Sequence, residues 1–302
     1  MGFSVAPSGS LGIYLLQQME QAFQDIGSLA PEIQERMPHL ALRVMMASQV
    51  REDIWRERQV KVPTIAFMAV TGECNLRCPH CYTQDYKRRR MTEELARRIV
   101  LEAYELGVSL IVVTGGEPLM HPEFFDIPRE VPDMPFMVFS NGLKVPEFLK
   151  RRTDVSNLMW AISVDGPREY NDARRGTGSF DGAMSAMEAL AARGLPFGFS
   201  SVLGADNVDA ATDPEFVAAL ARKGCRAGIF LEQIPHPVCT PSLGSQIGQR
   251  LEQLRETAPI PLIGFPADEF RYGGCQGAGQ GMIHISPEGM LEPCPAARIS
   301  AD

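Results

Sequence analysis

Three cysteines, Cys74, Cys78 and Cys81, fall within eight positions in the run Gly72-Glu73-Cys74-Asn75-Leu76-Arg77-Cys78-Pro79-His80-Cys81-Tyr82. Thiolates are soft ligands suited to iron–sulfur clusters and to zinc. The gaps are three residues and then two, and no fourth cysteine follows closely, unlike the bacterial ferredoxin run. A four-iron cubane on this loop would therefore have three protein-bound irons and one open to another ligand. Two rival readings exist. Zinc could take the three thiolates plus His80, but His80 lies between two of the ligands, and adjacent residues rarely both reach one tetrahedral ion. Three unconnected buried thiols would leave the spacing as coincidence.

Other polar residues cluster just past apolar runs. Thr114-Gly115-Gly116-Glu117-Pro118 read alone is strand-to-loop punctuation. Its glycines would let backbone carbonyls approach a ligand closely, and Glu117 adds a negative charge. Ser140-Asn141-Gly142 and Ser163-Val164-Asp165-Gly166 follow two further apolar runs, either as turn chemistry or as binding groups. Asn171-Asp172-Ala173-Arg174-Arg175-Gly176 offers two arginines, for a surface ion pair or a ligand. Ser200, Ser201, Glu232 and Gln233 interrupt apolar runs, and buried polar groups need partners. Neighbouring strand residues point to opposite faces, so only one of Glu232 and Gln233 should face inward.

At the cysteine loop, and again at Gly115-Gly116-Glu117-Pro118, the sequence resembles the radical S-adenosylmethionine (SAM) superfamily. That resemblance implies a 4Fe-4S cluster on Cys74, Cys78 and Cys81, with its open iron chelated by the amino and carboxylate groups of SAM. One-electron cleavage of the sulfonium would then yield methionine and a 5′-deoxyadenosyl radical, which abstracts hydrogen from a substrate. His80 stands where an aromatic residue usually flanks the adenine. The Gly115–Pro118 turn is expected to bind the SAM ammonium through its backbone, with Ser140, Asn141, Ser163 and Asp165 near the ribose and methionine. Arg175 is expected to meet the SAM carboxylate, with Arg174 close enough to be the partner instead. Glu232 joins the expected cofactor contacts. A bulky residue at Gly116 should block SAM while leaving the cluster intact.

The elements that would position these residues alternate. Apolar runs over 64–70, 110–113, 136–139, 158–164, 197–203 and 227–234 read as strands. Helical patterns at 92–106, 122–130, 145–152, 180–193, 214–223 and 245–257 separate or follow them, the first capped by Thr92. Such alternation means a parallel sheet with helices on its face. The expected fold is α/β, a partial (β/α)6 TIM-type barrel, with an open doubly wound sheet as the alternative. Ahead of it, residues 1–61 read as a helical extension: Leu11, Leu15, Met19, Phe23 and Ile26 share one face, and Pro31 starts a second helix through Val44. These helices should dock on the barrel body. The barrel is expected over 62–258.

Residues 259–302 form a small auxiliary segment of different character. Cys275 and Cys294 flank an expected hairpin, Ile283 and Ile285 against Met290 to Glu292, turned at Pro287-Glu288-Gly289. With Gly289 five residues before Cys294, this resembles the front half of the SPASM or twitch auxiliary-cluster domain. Cys275 and Cys294 are thereby expected to be metal ligands of an auxiliary iron–sulfur site. The later cysteines of that pattern do not follow, so the site is expected to be incomplete and the segment poorly ordered or holding a partial site. Cys225 and Cys239 match no motif and read as incidental thiols.

The seven cysteines, odd in number and concentrated in one loop, favour metal chemistry in a reducing, cytoplasmic compartment over disulfides. A net charge of −8 gives no electrostatic reason to expect nucleic acid, and no apolar run is long enough to span a membrane. The expected partners are SAM, a peptide or small-molecule substrate, and an external electron donor such as flavodoxin or ferredoxin. A rival of another class, an iron–sulfur electron carrier or redox sensor without catalysis, has no use for a SAM amine site.

Overall fold

The computed structural model describes residues 18, 21–84, 86–152, 156–234, 244–271, 274–277, 279–295 and 297. Most of the helix expected over 11–26, and Cys239, lie outside the described residues. The chain builds one nine-stranded sheet in the order β7-β6-β5-β4-β3-β2-β1-β8-β9. The strands are β1 (Ile65–Ala69), β2 (Leu110–Thr114), β3 (Phe136–Ser140), β4 (Leu158–Ser163), β5 (Phe197–Leu203), β6 (Gly228–Glu232), β7 (Leu262–Phe265), β8 (Met282–Ile285) and β9 (Leu291–Glu292). Strands β1 to β8 pair in parallel, and β9 returns antiparallel on β8. No pairing joins β7 to β9 among the described residues, so the fold is a curled, open half-barrel.

The helices are α1 (Pro31–Arg58), α2 (Glu93–Glu105), α3 (Val145–Arg151), α4 (Arg168–Arg175), α5 (Ser179–Ala192), α6 (Val208–Ala211), α7 (Pro214–Arg222), α8 (Gly244–Arg255) and α9 (Ala267–Arg271). In α2 the Thr92 side chain accepts from the Leu95 N–H, and Glu93 and Glu94 sit at the positive end of the helix dipole. The 122–130 segment is tighter than the expected helix, a 3-10 run interrupted by Pro128.

Alternate strand residues serve two faces. Phe136, Val138, Trp160, Ile162, Phe199 and Phe230 are buried on the helix side, each side chain contributing about 1.5–3 kcal/mol of burial. Their neighbours Met137, Phe139, Met159, Val202 and Leu231 are only half-buried on the concave face. The strand ends that carry chemistry therefore open over a partly exposed trough.

Two parallel strands exceed the six expected. Both β7 and β8 are four residues long, too short to show periodicity, and β8 lies in register with β1, Phe67 opposite His284. Position 258/259, the expected end of the barrel, falls inside this continuous sheet. The expected hairpin is present as β8–β9, with His284 opposite Glu292. It is a defined part of the sheet, where the sequence had suggested a poorly ordered segment, because β1 supplies a full ladder for its first strand.

Helix α1 starts with Pro31 at its first turn and runs to Arg58, well beyond Val44, the last apolar position read for it from the sequence. Ile33, Leu40, Arg43 and Ala47 form its buried face. The Arg43 guanidinium stacks 4.0 Å above the Tyr104 ring and donates to the Tyr104 carbonyl. Arg51 reaches Gly107 O and Ser109 Oγ, so α1 docks on the end of α2 and the start of β2. No described helix is long and apolar enough to cross a membrane.

Candidate cofactor site

The cysteine loop leaves the C-terminal end of β1, and two neighbouring segments fix its backbone. The Gly72 N–H donates to Arg89 O at 2.9 Å, and a Cβ on Gly72 would come within 2.0 Å of Lys87 O. On the other side, Gly116 N donates to Thr71 O at 2.7 Å and Glu117 N to Glu73 O at 2.8 Å. Two loops at the ends of adjacent strands are thus joined edge to edge. A side chain at Gly115 would meet Thr71 O at 2.3 Å, and one at Gly116 would meet Glu73 O at 2.3 Å and Cys74 Cβ at 3.0 Å. Gly115 also has φ +141°, which favours glycine. The glycines are required by loop-on-loop packing, not solely by approach to a ligand as the sequence suggested. Their carbonyls accept no hydrogen bond from the described residues.

Glu117 is buried, and its carboxylate is spent on the protein's own donors. Oε1 accepts from Ser140 Oγ at 2.9 Å and from Leu119 N at 3.2 Å, while Oε2 accepts from Asn141 N at 2.8 Å. Burial pushes its pKa up, against the lowering effect of those donors. Glu117 therefore ties the loop after β2 to the loop after β3. Pro118 opens the buried 3-10 turn that follows. Asn141 reaches the cysteine loop, its Nδ2 donating to Asn75 Oδ1 at 2.7 Å. Ser163 Oγ lies 3.3 Å from Ser200 Oγ on the concave face.

Asp165 is fully buried at the end of β4. Its Oδ2 lies 3.2 Å from His80 Nε2 and 2.8 Å from Arg175 Nε, and its Oδ1 accepts from Val202 N and Arg175 Nη2. Burial alone would raise its pKa, but Arg175 and His80 bring it well below the usual carboxylate range. Asp165 thus holds His80 and Arg175 together. Asn171 and Asn207 fix its backbone, at 2.9 Å each, from 6 and 42 residues away. Nothing in the local sequence around Asn207 signals that role.

Both arginines touch Asp165, Arg174 through Nε at 3.5 Å, but Arg174 makes its other bonds elsewhere, to Asp206, to Val202 O at 3.1 Å and to Gln233 Oε1 at 3.1 Å. Arg175 faces the thiols: its charge opposes the burial that pushes the Cys78 thiol up to about 11. Arg175 Nε is buried and, although near Asp165, has no aligned acceptor. Thr114 Oγ1, at the end of β2, is likewise buried without a partner, a residue that the sequence reading quoted but did not single out. Glu232 pairs in register with Leu203, whose side chain belongs to the helix-side core, while Gln233 lines a cavity with His80 and Arg174. Of that pair, Gln233 is the one beside the cysteine loop.

Cys74, Cys78 and Cys81 are half-buried. Burial raises the Cys74 thiol as well. Such thiols become thiolates when a cation replaces the proton. Among the described residues no three His, Cys, Asp or Glu side chains converge as ligands of a single ion must. A four-iron cubane instead spreads its thiolates over separate corners. The donor set, the unclaimed Gly115 and Gly116 carbonyls and the unaligned Arg175 N–H fit a cluster with a zwitterionic amino acid beside it. In the C-terminal segment, a Cβ on Gly277 would lie 3.4 Å from Cys275 Sγ and 3.5 Å from Cys294 Cβ, so the two cysteines flank one glycine.

Comparison with known proteins follows the same lines. The family model described as the radical SAM superfamily matches residues 68–224, just over half of the chain. The mycofactocin maturase MftC of Mycobacterium tuberculosis is 32% identical over 145 residues, 46% of this chain and 37% of that protein. The AdoMet-dependent heme synthase of Methanosarcina barkeri is 28% identical over 158 residues, 50% of this chain and 45% of that protein. The chain thus spans less than half the length of these relatives. Among solved structures, Streptococcus suis SuiB bound to the precursor peptide SuiA superposes with a TM-score of 0.61 at 14% identity, covering 82% of this chain and 63% of that one. Native anSMEcpe with bound AdoMet gives 0.56 at 17% identity, covering 78% and 76%. Both show likeness of fold.

Proposed function

The chain belongs to the radical SAM superfamily, and from that premise we propose that it cleaves SAM reductively at a 4Fe-4S cluster on Cys74, Cys78 and Cys81 and takes hydrogen from a substrate carbon. The observation that carries this reading is the edge-to-edge bonding of the cysteine loop to the Gly115–Pro118 turn, with Asp165 holding both His80 of that loop and Arg175. When bound, the cluster and SAM supply one-electron cleavage of the sulfonium and, from it, hydrogen abstraction. The residues of the chain bind, orient and exclude water. The Gly115 and Gly116 carbonyls would receive the SAM ammonium, and Arg175 its carboxylate. Ser140 and Asn141 hold the turn through Glu117, Asp165 fixes Arg175 and His80, and Ser163 and Thr114 offer hydroxyls at the rim of the trough.

The substrate is proposed to be a peptide or another natural product. The likeness to a mycofactocin maturase and to a protein solved with its precursor peptide supports this. The likeness to a heme synthase keeps small molecules within the class. Cys275 and Cys294 are proposed as two ligands of an auxiliary site completed by other groups. Residues 1–61 would serve as a docking extension of the barrel. A cytoplasmic setting suits thiol ligands that have to stay reduced, and the electron is proposed to come from a soluble donor protein.

The test is anaerobic reconstitution followed by assay of 5′-deoxyadenosine. Wild-type chain should bind about four irons at this loop and release 5′-deoxyadenosine from SAM under reduction. Each of Cys74→Ala, Cys78→Ala and Cys81→Ala should abolish it. A triple variant that still cleaved SAM would overturn the assignment.

A further inference from the structure

Beside the cysteine loop runs Lys87-Arg88-Arg89-Arg90, four consecutive cations in a chain of net charge −8. All four residues are exposed. Their backbone is packed against the start of the loop: Arg89 O accepts from Gly72 N, Arg90 pairs with Thr71, and Met91 N donates to Val70 O at 2.9 Å. Gly72 itself is two positions from Cys74. Arg90 is answered locally, by Glu73 at 3.0 Å and Glu123 at 3.6 Å. Lys87, Arg89 and the exposed Arg77 of the loop make no ion pair among the described residues.

The loop is held from within by other groups. Its inner side is bonded to Gly116, Glu117, Asn141 and Asp165, toward the trough. The exposed Arg77 lies in the loop itself, between Cys74 and Cys78, and Lys87, Arg88 and Arg89 are exposed beside its start. A partner on those residues would sit against the cluster ligands without entering the trough where a substrate has to bind.

We propose that the ridge formed by Arg77, Lys87, Arg88 and Arg89 is the docking surface for an acidic electron-donor protein of the flavodoxin type. The inference rests on the radical SAM reading and names its partner surface. Each SAM cleaved consumes one electron; it leaves the donor's reduced flavin, which is oxidised by one electron, and enters at the cysteine loop. An acidic donor is repelled by the chain's overall negative charge, so attraction is confined to the local basic exception. That concentrates encounters at the one place where transfer to the loop is short.

The test uses the full reconstituted chain and the variant Lys87→Glu/Arg88→Glu/Arg89→Glu, whose changed side chains leave the backbone bonds to the loop in place. Binding of oxidised acidic flavodoxin is measured by titration calorimetry at low and high salt, independently of turnover. The expected result is a Kd that weakens at least about tenfold in the variant and a wild-type affinity that falls steeply with salt. In parallel, 5′-deoxyadenosine formation is driven either by reduced flavodoxin or by dithionite. Loss in the variant with flavodoxin alone supports the proposal. Unchanged flavodoxin binding, or equal loss with both reductants, overturns it. Absence of SAM cleavage by wild type with dithionite would instead sink the underlying reading, so the two failures are distinguishable.

Discussion

The backbone N–H of Asn141 donates to Glu117 Oε2 at 2.8 Å, hanging the loop after β3 on a carboxylate from the loop after β2. Glu117→Ala would strand three donors, those of Asn141, Leu119 and Ser140, in a buried space. Each unsatisfied group costs about 1–3 kcal/mol before the neighbours relax. A lower melting temperature for the cluster-free protein is expected, with weaker SAM binding as its consequence. A variant with wild-type melting would show that the carboxylate does not organise these loops.

Gly116→Ala tests whether the glycine serves the ligand or the loop. Its Cβ would press on Glu73 O and Cys74 Cβ, and backbone can yield less than the far end of a side chain. Iron incorporation should therefore fall together with SAM affinity. Full iron content with only SAM binding lost would restore the simpler reading, in which the glycine merely admits the ligand.

How far the site was legible depends on the range of the determining contact. The cysteine spacing, the Gly-Gly-Glu-Pro turn and the cap at Thr92 are local, and they read directly from the chain. The burial of Glu117 depends on Ser140 and Asn141, more than 20 residues on. The pairing of His80 with Asp165 joins β1 to β4, and no local pattern announces it. Likewise β8 is a four-residue strand whose partner, β1, lies more than 200 residues earlier. The choice between Glu232 and Gln233 turned on register with Leu203, which alternation alone leaves open.

Arg175 and Arg174 predict opposite phenotypes. Arg175→Gln removes the charge that faces the thiols, and SAM affinity should drop at least about tenfold, the scale of one charged hydrogen bond. Arg174→Gln instead loses bonds to Asp206, Val202 O and Gln233 and only the long 3.5 Å contact to Asp165, so stability should fall while SAM affinity changes by less than about threefold. Calorimetric SAM titrations of the reconstituted variants, alongside their melting curves, decide the matter. The reverse pattern would assign the carboxylate partner to Arg174.

Asp172 governs how firmly Arg175 is held, and it does so in a pH-dependent way. Its Oδ1 accepts from Phe180 N at 2.8 Å and Ser179 Oγ at 3.1 Å, and its Oδ2 from Gly178 N at 3.0 Å, closing the turn between α4 and α5. Burial tends to raise its pKa, but the Phe180 and Gly178 N–H groups outweigh that and hold it below its ordinary value. A carboxyl depressed in the folded state stabilises the fold above its unfolded pKa of about 3.9, and that contribution is lost as pH falls through the folded value. Asp172→Asn keeps one acceptor but cannot accept from Gly178 through its amide nitrogen. The melting temperatures of wild type and variant should therefore differ most near neutral pH and converge below about pH 4. Because α4 carries Arg175 one turn further on, the variant should also bind SAM more weakly at neutral pH. A melting gap that stayed constant from neutral pH down to about pH 3 would show that the Asp172 charge contributes nothing to the turn.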